Sequence, residues 1–257
     1  MEISWYGTAA VCISHAGHKL LFDPFVSMNT VLRCTSVQEL AQMGDIFITH
    51  GHFDHTIHVP QVAALGKRKV YCSAETAQRL VKAGVPAEQA VTISPGDIIR
   101  NGPFTIRVFK GAHIKNDLRL VMQTLFSRRI INHFQDFIDI MKANRKCPLG
   151  QVLCYEISLE NTRVLHLGSL NLWAEEEYPQ GVDVLCLPFQ GRSDLLTYTL
   201  PFIEKLKPQS IFLHHFDDSF PPISSRIDCI PFADLVGQKY PDLAVTIPEY
   251  GASYPVS

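Results

Sequence analysis

Three histidines and an aspartate crowd into the segment Thr49-His50-Gly51-His52-Phe53-Asp54-His55, directly after the apolar run Asp45-Ile46-Phe47-Ile48-Thr49. A strand that ends in H-x-H-x-D-H presents several imidazoles and a carboxylate at one rim, on rigid backbone. That requirement narrows the fold to one in which the end of an internal strand opens at an edge. Neutral imidazole and carboxylate suit Zn²⁺ and similar divalent ions. The competing reading is a polar loop with surface histidines. The density of the cluster argues against it, because buried imidazoles and carboxylates are costly unless paired or bound to metal.

The flanking sequence alternates short strands with helices. Ile3–Trp5, Val11–Ser14 and Lys19–Phe22 read as strands, with His15-Ala16-Gly17-His18 as a turn whose histidines face solvent. A helix is predicted over Ser36–Met43, the motif strand over Asp45–Thr49, a strand over Val70–Ser73 and a helix over Ala74–Gly84. Val91–Ile93, Asp97–Ile99 and Phe104–Lys110 continue the strands. The pattern restarts with strands at Val152–Leu159, Arg163–Leu167, Val182–Leu187, Ser210–His214 and Ala244–Ile247, and helices at Leu195–Leu206 and Phe232–Gln238. Two such halves imply two sheets packed face to face with helices outside, an α/β (α+β) architecture.

Between the halves, Asn116–Lys146 reads as one or two long helices. Leu118, Val121, Met122, Leu125 and Phe126 recur at helical spacing, as do Ile130, Ile131, Phe134, Phe137, Ile138 and Met141. The polar face carries Arg119, Arg128, Arg129, Lys142, Arg145 and Lys146. This insertion, about 114–148, is expected to pack on the body, to form a lid over the site or to make a homo-oligomer contact. Its basic face also suits an anionic substrate or a membrane surface.

Composition excludes several classes. The 257 residues, 46% hydrophobic and 19% charged, suffice for a full core and exclude disorder. A net charge of −2 offers nucleic acid no attracting field. No basic, apolar leader opens the chain and no apolar run reaches the roughly 18 residues of a membrane span, so neither a signal peptide nor a membrane partner is expected. The seven cysteines include no C-x-x-C pair. Cys12, Cys72, Cys154 and Cys186 lie in strand-like runs and read as buried thiols of a cytoplasmic protein.

H-x-H-x-D-H resembles the signature of the metallo-β-lactamase fold superfamily. The opening Met1-Glu2-Ile3-Ser4-Trp5-Tyr6-Gly7-Thr8-Ala9-Ala10, with Leu20-Leu21-Phe22-Asp23-Pro24-Phe25, is similar to its branch of small metal-dependent hydrolases, those like ascorbate-6-phosphate lactonase and, more distantly, an N-acyl phosphatidylethanolamine phospholipase D. The resemblance covers residues 1–113 and 150–220. It implies one four-layer αββα domain over residues 1–257 with the helical insertion, and one or two divalent ions, zinc first with manganese or iron as alternatives. His50, His52 and His113 resemble the ligands of one ion, Asp54 and His55 those of another. His215 is favoured over His214 as the last ligand, since an aromatic residue follows it. Asp54 is the expected catalytic group, and Asp23-Pro24 a turn supporting the site from behind.

One position departs from the family pattern. Leu165-His166-Leu167-Gly168-Ser169 has a serine where the bridging aspartate normally follows glycine. A neutral hydroxyl does not offset the repulsion of two dications. A single ion, recruitment of Asp217, Asp218 or His166, or loss of catalysis are the open outcomes. His214, Arg192 and Ser169 are candidate substrate contacts, and a turn contact to Asp194 is the alternative use of Arg192. His58 is expected behind the ligands and His133 in solvent. The resulting expectation is a hydrolase using a metal-activated water on an ester, lactone or phosphodiester bond of a small molecule. The alternative is a non-catalytic or attenuated metal-binding scaffold.

Overall fold

The computed structural model describes residues 1–32, 35–115 and 117–256. Strands β1 (Glu2–Trp5), β2 (Val11–His15), β3 (His18–Phe22), β4 (Asp45–Phe47), β5 (Val70–Cys72) and β6 (Ala90–Thr92) belong to the first sheet. Strands β7 (Ile98–Asn101), β8 (Phe104–Lys110), β9 (Leu153–Leu159), β10 (Thr162–His166), β11 (Val184–Pro188), β12 (Ser210–His214) and β13 (Ala244–Thr246) form the second. The last strand, β14 (Ser253–Pro255), returns to β1, giving the orders β14-β1-β2-β3-β4-β5-β6 and β13-β12-β11-β10-β9-β8-β7.

Each sheet is antiparallel on one side and parallel on the other. β3 through β6 run parallel, as do β10 through β13. Parallel strands covered on both faces need apolar residues in both directions, and β3 and β4 have them. Leu20, Phe22 and Phe47 enter the core between the sheets, where they meet Tyr155 and Ile157 of β9. Their alternates Leu21 and Ile46 face a separate core with Val59, Val62 and Leu80 of the helices Val59–Gly66 and Ala74–Lys82. The Tyr155 hydroxyl crosses the layers to donate to the Ile48 carbonyl at 2.6 Å. On the other side Phe232 and Val236 of the helix Ile230–Lys239 complete the αββα layering.

β8 and β10 both run antiparallel to β9, so β8 points the same way as β10, β11 and β12. The carboxyl ends of these strands share one rim, the position at which α/β sheets bind ligands. β4 ends there just before His50.

The insertion differs from its prediction. It forms three helices, Leu118–Leu125, Arg128–Asn132 and Phe134–Lys146, in place of one or two long ones. Ser127 caps the second helix through the Ile130 N–H at 3.4 Å, and His133 stands outside helical backbone between the second and third. A cap residue whose side chain takes up backbone N–H groups starts a new helix and breaks the old one. Asn116, the first residue of the predicted stretch, lies outside the described residues. Ile130 and Ile140 are buried, while Leu118, Phe126, Ile131 and Phe134 are 60–78% exposed.

Candidate metal centre

The motif begins where β4 leaves the sheet. Asp23, at the end of β3, has φ +45 and turns its carboxylate back under the motif. It accepts from the Thr49 backbone N–H at 2.8 Å, the Thr49 hydroxyl at 2.6 Å and His55 Nδ1 at 2.8 Å. Thr49, its hydroxyl proton committed to Asp23, accepts from His50 Nδ1 at 3.0 Å. Asp54 and His55 sit on the short helix Phe53–Thr56, where the Thr56 hydroxyl lies 2.7 Å from the His52 carbonyl and 3.1 Å from that of Gly51. A Cβ on Gly51 would stand 2.1 Å from the Pro148 carbonyl oxygen, so only glycine fits between His50 and His52.

The remaining groups arrive from the second sheet. His113 follows β8, its Nδ1 donating to the Ile114 carbonyl at 3.0 Å and its own carbonyl accepting from Asn171 at 3.0 Å. His215 follows β12 with φ +62, a left-handed conformation that turns its ring off the strand direction at a cost of about 1–2 kcal/mol. Its Nδ1 donates to Gln190 Oε1 at 2.8 Å, and its Nε2 lies 3.2 Å from Asp54 Oδ2.

Two groups result: His50, His52 and His113, and Asp54, His55 and His215. The ligand atoms within each lie within 4.8 Å of one another. The groups adjoin, with the rings of His50 and His55 centred 3.9 Å apart. In four of the five histidines Nδ1–H is held by an acceptor, which fixes the tautomer whose Nε2 lone pair is free for a cation.

The electrostatics agree. Burial, followed by repulsion from neighbouring imidazoles, lowers His50 well below its ordinary value. Burial takes His52 to about 4 against the pull of Asp54, and burial also lowers His113. Burial alone would raise Asp54, but His55, His215 and His52 hold it well below the usual carboxylate range. His55 is raised, since Asp23 and Asp54 outweigh its burial. Mostly neutral imidazoles beside an ionised carboxylate are the protonation states that metal binding requires. The donor set therefore fits divalent ions.

Ser169 is buried, and its Oγ accepts from the Ile114 backbone N–H at 3.0 Å. Asp217 receives the Thr8 N–H at 3.0 and 3.1 Å as well as the Ser219 hydroxyl. Asp218 pairs with Arg129 at 2.6 Å and accepts from Ser224. Neither aspartate joins the two groups. His166, also considered as a recruit, stacks on His214 with ring centroids 5.0 Å apart. Both rings are at most 1% exposed, and none of their four nitrogens has a protein hydrogen bond of ordinary geometry.

Two of the candidate substrate contacts are engaged within the protein. His214 is sealed between the sheets, because strand alternation sends it opposite to the rim. Arg192 spends its guanidinium on Asp194, at 2.6 and 2.8 Å, and on the Lys115 carbonyl at 3.1 Å. His58 accepts the Val26 N–H at 3.2 Å behind the ligands, and His133 is exposed. Sequence reasoning missed Thr49 as the hub linking Asp23 to two histidines. The only signal was a hydroxyl adjoining the motif.

Residues 18–216 match the family model of the beta-lactamase superfamily domain. A UPF0173 metal-dependent hydrolase of Pyrobaculum neutrophilum is 34% identical over 104 residues, covering 40% of this chain and 45% of that protein. One of Cupriavidus necator is 27% identical over 199 residues, covering 74% of this chain and 64% of that protein. The chain thus aligns with about half the length of the first relative. The solved structure of Igni18, a metallo hydrolase from the archaeon Ignicoccus hospitalis, has a TM-score of 0.69 at 18% identity, covering 100% of this chain and 99% of that one. At that identity the likeness concerns the fold.

Proposed function

This chain belongs to the family of the beta-lactamase superfamily domain, and on that premise we propose that it is a metal-dependent hydrolase acting on an ester, lactone or phosphodiester bond of a small molecule. The carrying observation is the pair of adjoining donor groups whose histidines are anchored through Nδ1. In this reading residues 1–257 form one hydrolase domain of a cytoplasmic protein. Its buried free thiols, several raised to about 12 by burial, suit a reducing compartment.

His50, His52 and His113 would hold one ion, and Asp54, His55 and His215 would be the ligands for a second. Zinc is the ion we favour, with manganese or iron as alternatives. Such an ion supplies Lewis acidity and lowers the pKa of water towards roughly 7. Asp54, kept ionised by its imidazole neighbours, would bind the ion and orient the attacking water. Asp23 and Thr49 keep His50 and His55 in register from behind. Gln190 does the same for His215.

Ser169 keeps a second reading alive, that of an attenuated metal-binding scaffold. Metal content per chain, measured by elemental analysis as purified and after zinc or manganese loading, separates the readings. One or two ions, with turnover on a lactone and phosphodiester panel, support the hydrolase. No ion under either condition overturns it. If Ser169→Asp raises metal content and turnover together from a low base, the native centre is an attenuated one.

A further inference from the structure

The insertion begins and ends at the metal centre. Its first helix starts at Leu118, five residues after His113, with the carboxylate of its N-cap Asp117 accepting the Ser193 N–H at 2.7 Å on the Gln190–Asp194 loop. Its last residues close against the motif, where the Gly51 N–H donates to the Leu149 carbonyl at 2.7 Å. Ile140 and Cys147 pack with Phe25, Phe53 and Phe220, and Arg129 ties the second helix to Asp218 and the Ser224 carbonyl. The inner side of the insertion is thus firmly seated.

The outer side reverses the usual burial rule. The helix Leu118–Leu125 buries none of its residues, although Leu118, Val121, Met122 and Leu125 form a stripe at i, i+3, i+4 and i+7. Those four are 41–78% exposed, and Phe126, Ile131, Phe134 and Met141 extend the exposed apolar surface. Large exposed apolar surface of this kind marks an interaction site. The same segment is basic. Residues 114–148 carry seven Lys and Arg against three Asp, a net +4 on a chain whose total is −2. Arg119, Arg128, Arg145 and Lys146 are exposed.

Charge selects the occupant. A second copy meeting this face symmetrically would bring +4 against +4. An anionic lipid surface offers apolar depth for the stripe and negative headgroups for the cations, the combination by which amphipathic helices lie in a membrane interface. No helix among the described residues is long and apolar enough to cross a membrane, which leaves a peripheral contact. We propose that the outer face of the insertion docks the protein on an anionic bilayer surface, with the metal centre beside the contact. The expectation of no membrane partner rests on the lack of an apolar run long enough to span a bilayer, which does not bear on a helix face lying in the interface.

The test is vesicle flotation with the full chain, metal-stripped and metal-loaded. Phosphatidylcholine vesicles are compared with vesicles of two parts phosphatidylcholine to one part phosphatidylserine, at low and high salt. The expected result is flotation with the mixed vesicles only, at low salt, in both metal states. Arg119→Glu with Arg128→Glu should weaken it by roughly fivefold or more per charge. Leu125→Ser with Phe126→Ser should weaken it as well, with an unchanged thermal unfolding midpoint because both side chains are exposed. No flotation with anionic vesicles, or flotation unaffected by both double variants, overturns the proposal. So does a dimer in analytical ultracentrifugation that the apolar variant breaks while vesicles are ignored. Binding without turnover would leave the docking face standing and count only against the hydrolase.

Discussion

Two sets of histidines sit near the same strand ends and meet opposite fates. His50, His55, His113 and His215 stand at the rim, each with Nδ1 held by a threonine, a carboxylate, a backbone carbonyl or a glutamine. His166 and His214 end β10 and β12 yet point inward, stacked on each other and with no side-chain acceptor behind either ring. Both sets are largely buried, so burial of an imidazole does not identify a ligand. What distinguishes the ligands is a nitrogen facing its fellows, backed in four of the five by an acceptor behind the ring that fixes its tautomer.

The largest expected effect comes from removing a rim ligand. His52→Ala should lower metal affinity and turnover by more than the roughly 10–100-fold that an orienting partner is worth. Elemental analysis and steady-state kinetics read it. The matching change in the inner set, His166→Phe, should leave metal content intact, and loss of metal in that variant would break the comparison.

The inner pair should instead reveal itself through acid stability. Burial takes His166 to about 4, with the nearby charge of Asp23 only partly opposing it. The unfolded chain then binds protons below its ordinary value of 6.5 while the native ring does not. The stabilising difference is complete above pH 6.5 and is lost as pH falls towards 4. This change amounts to ~3 kcal/mol. Urea unfolding across that range should show a shallower pH slope for His166→Phe than for the natural chain.

Anchors should rank below ligands. Asp23→Asn should cost about 10–100-fold in metal affinity, and about 1–3 kcal/mol of stability because two donors of Thr49 and one of His55 share that carboxylate. Gln190→Ala, which removes a neutral acceptor from a single ring, should sit at the weak end, near tenfold. An effect of Gln190→Ala equal to that of His52→Ala would erase the distinction between holding a ligand and being one. Isothermal titration with zinc measures both.

Much of this centre was legible in the sequence because its chemistry is local. The H-x-H-x-D-H motif, the third histidine after β8 and the His-His pair at the end of β12 each close an apolar run that reads as a strand. The strand predictions fall within a few residues of β1 through β13. The three-helix division of the insertion was less legible, since the apolar spacing of Leu118–Phe126 and Ile130–Met141 is compatible with longer helices and the breaks depend on the Ser127 cap and on the non-helical backbone of His133. Arg192 was ambiguous for a related reason. A guanidinium four positions after a rim strand suits a substrate as well as it suits Asp194, and only the turn geometry chose.

The sequence by itself determined the donor types, their placement at strand ends and the absence of a carboxylate at Ser169, because these depend on residue identity and on strand and turn preferences. The tertiary structure alone decided which imidazoles converge, that Asp23 and Thr49 lock two of them, that His214 faces inward while His215 reaches the rim, and that the stripe of the insertion meets solvent. Those outcomes depend on which elements pack against which, and packing between residues as distant in the chain as Asp54 and His215 leaves no local trace in the order of amino acids.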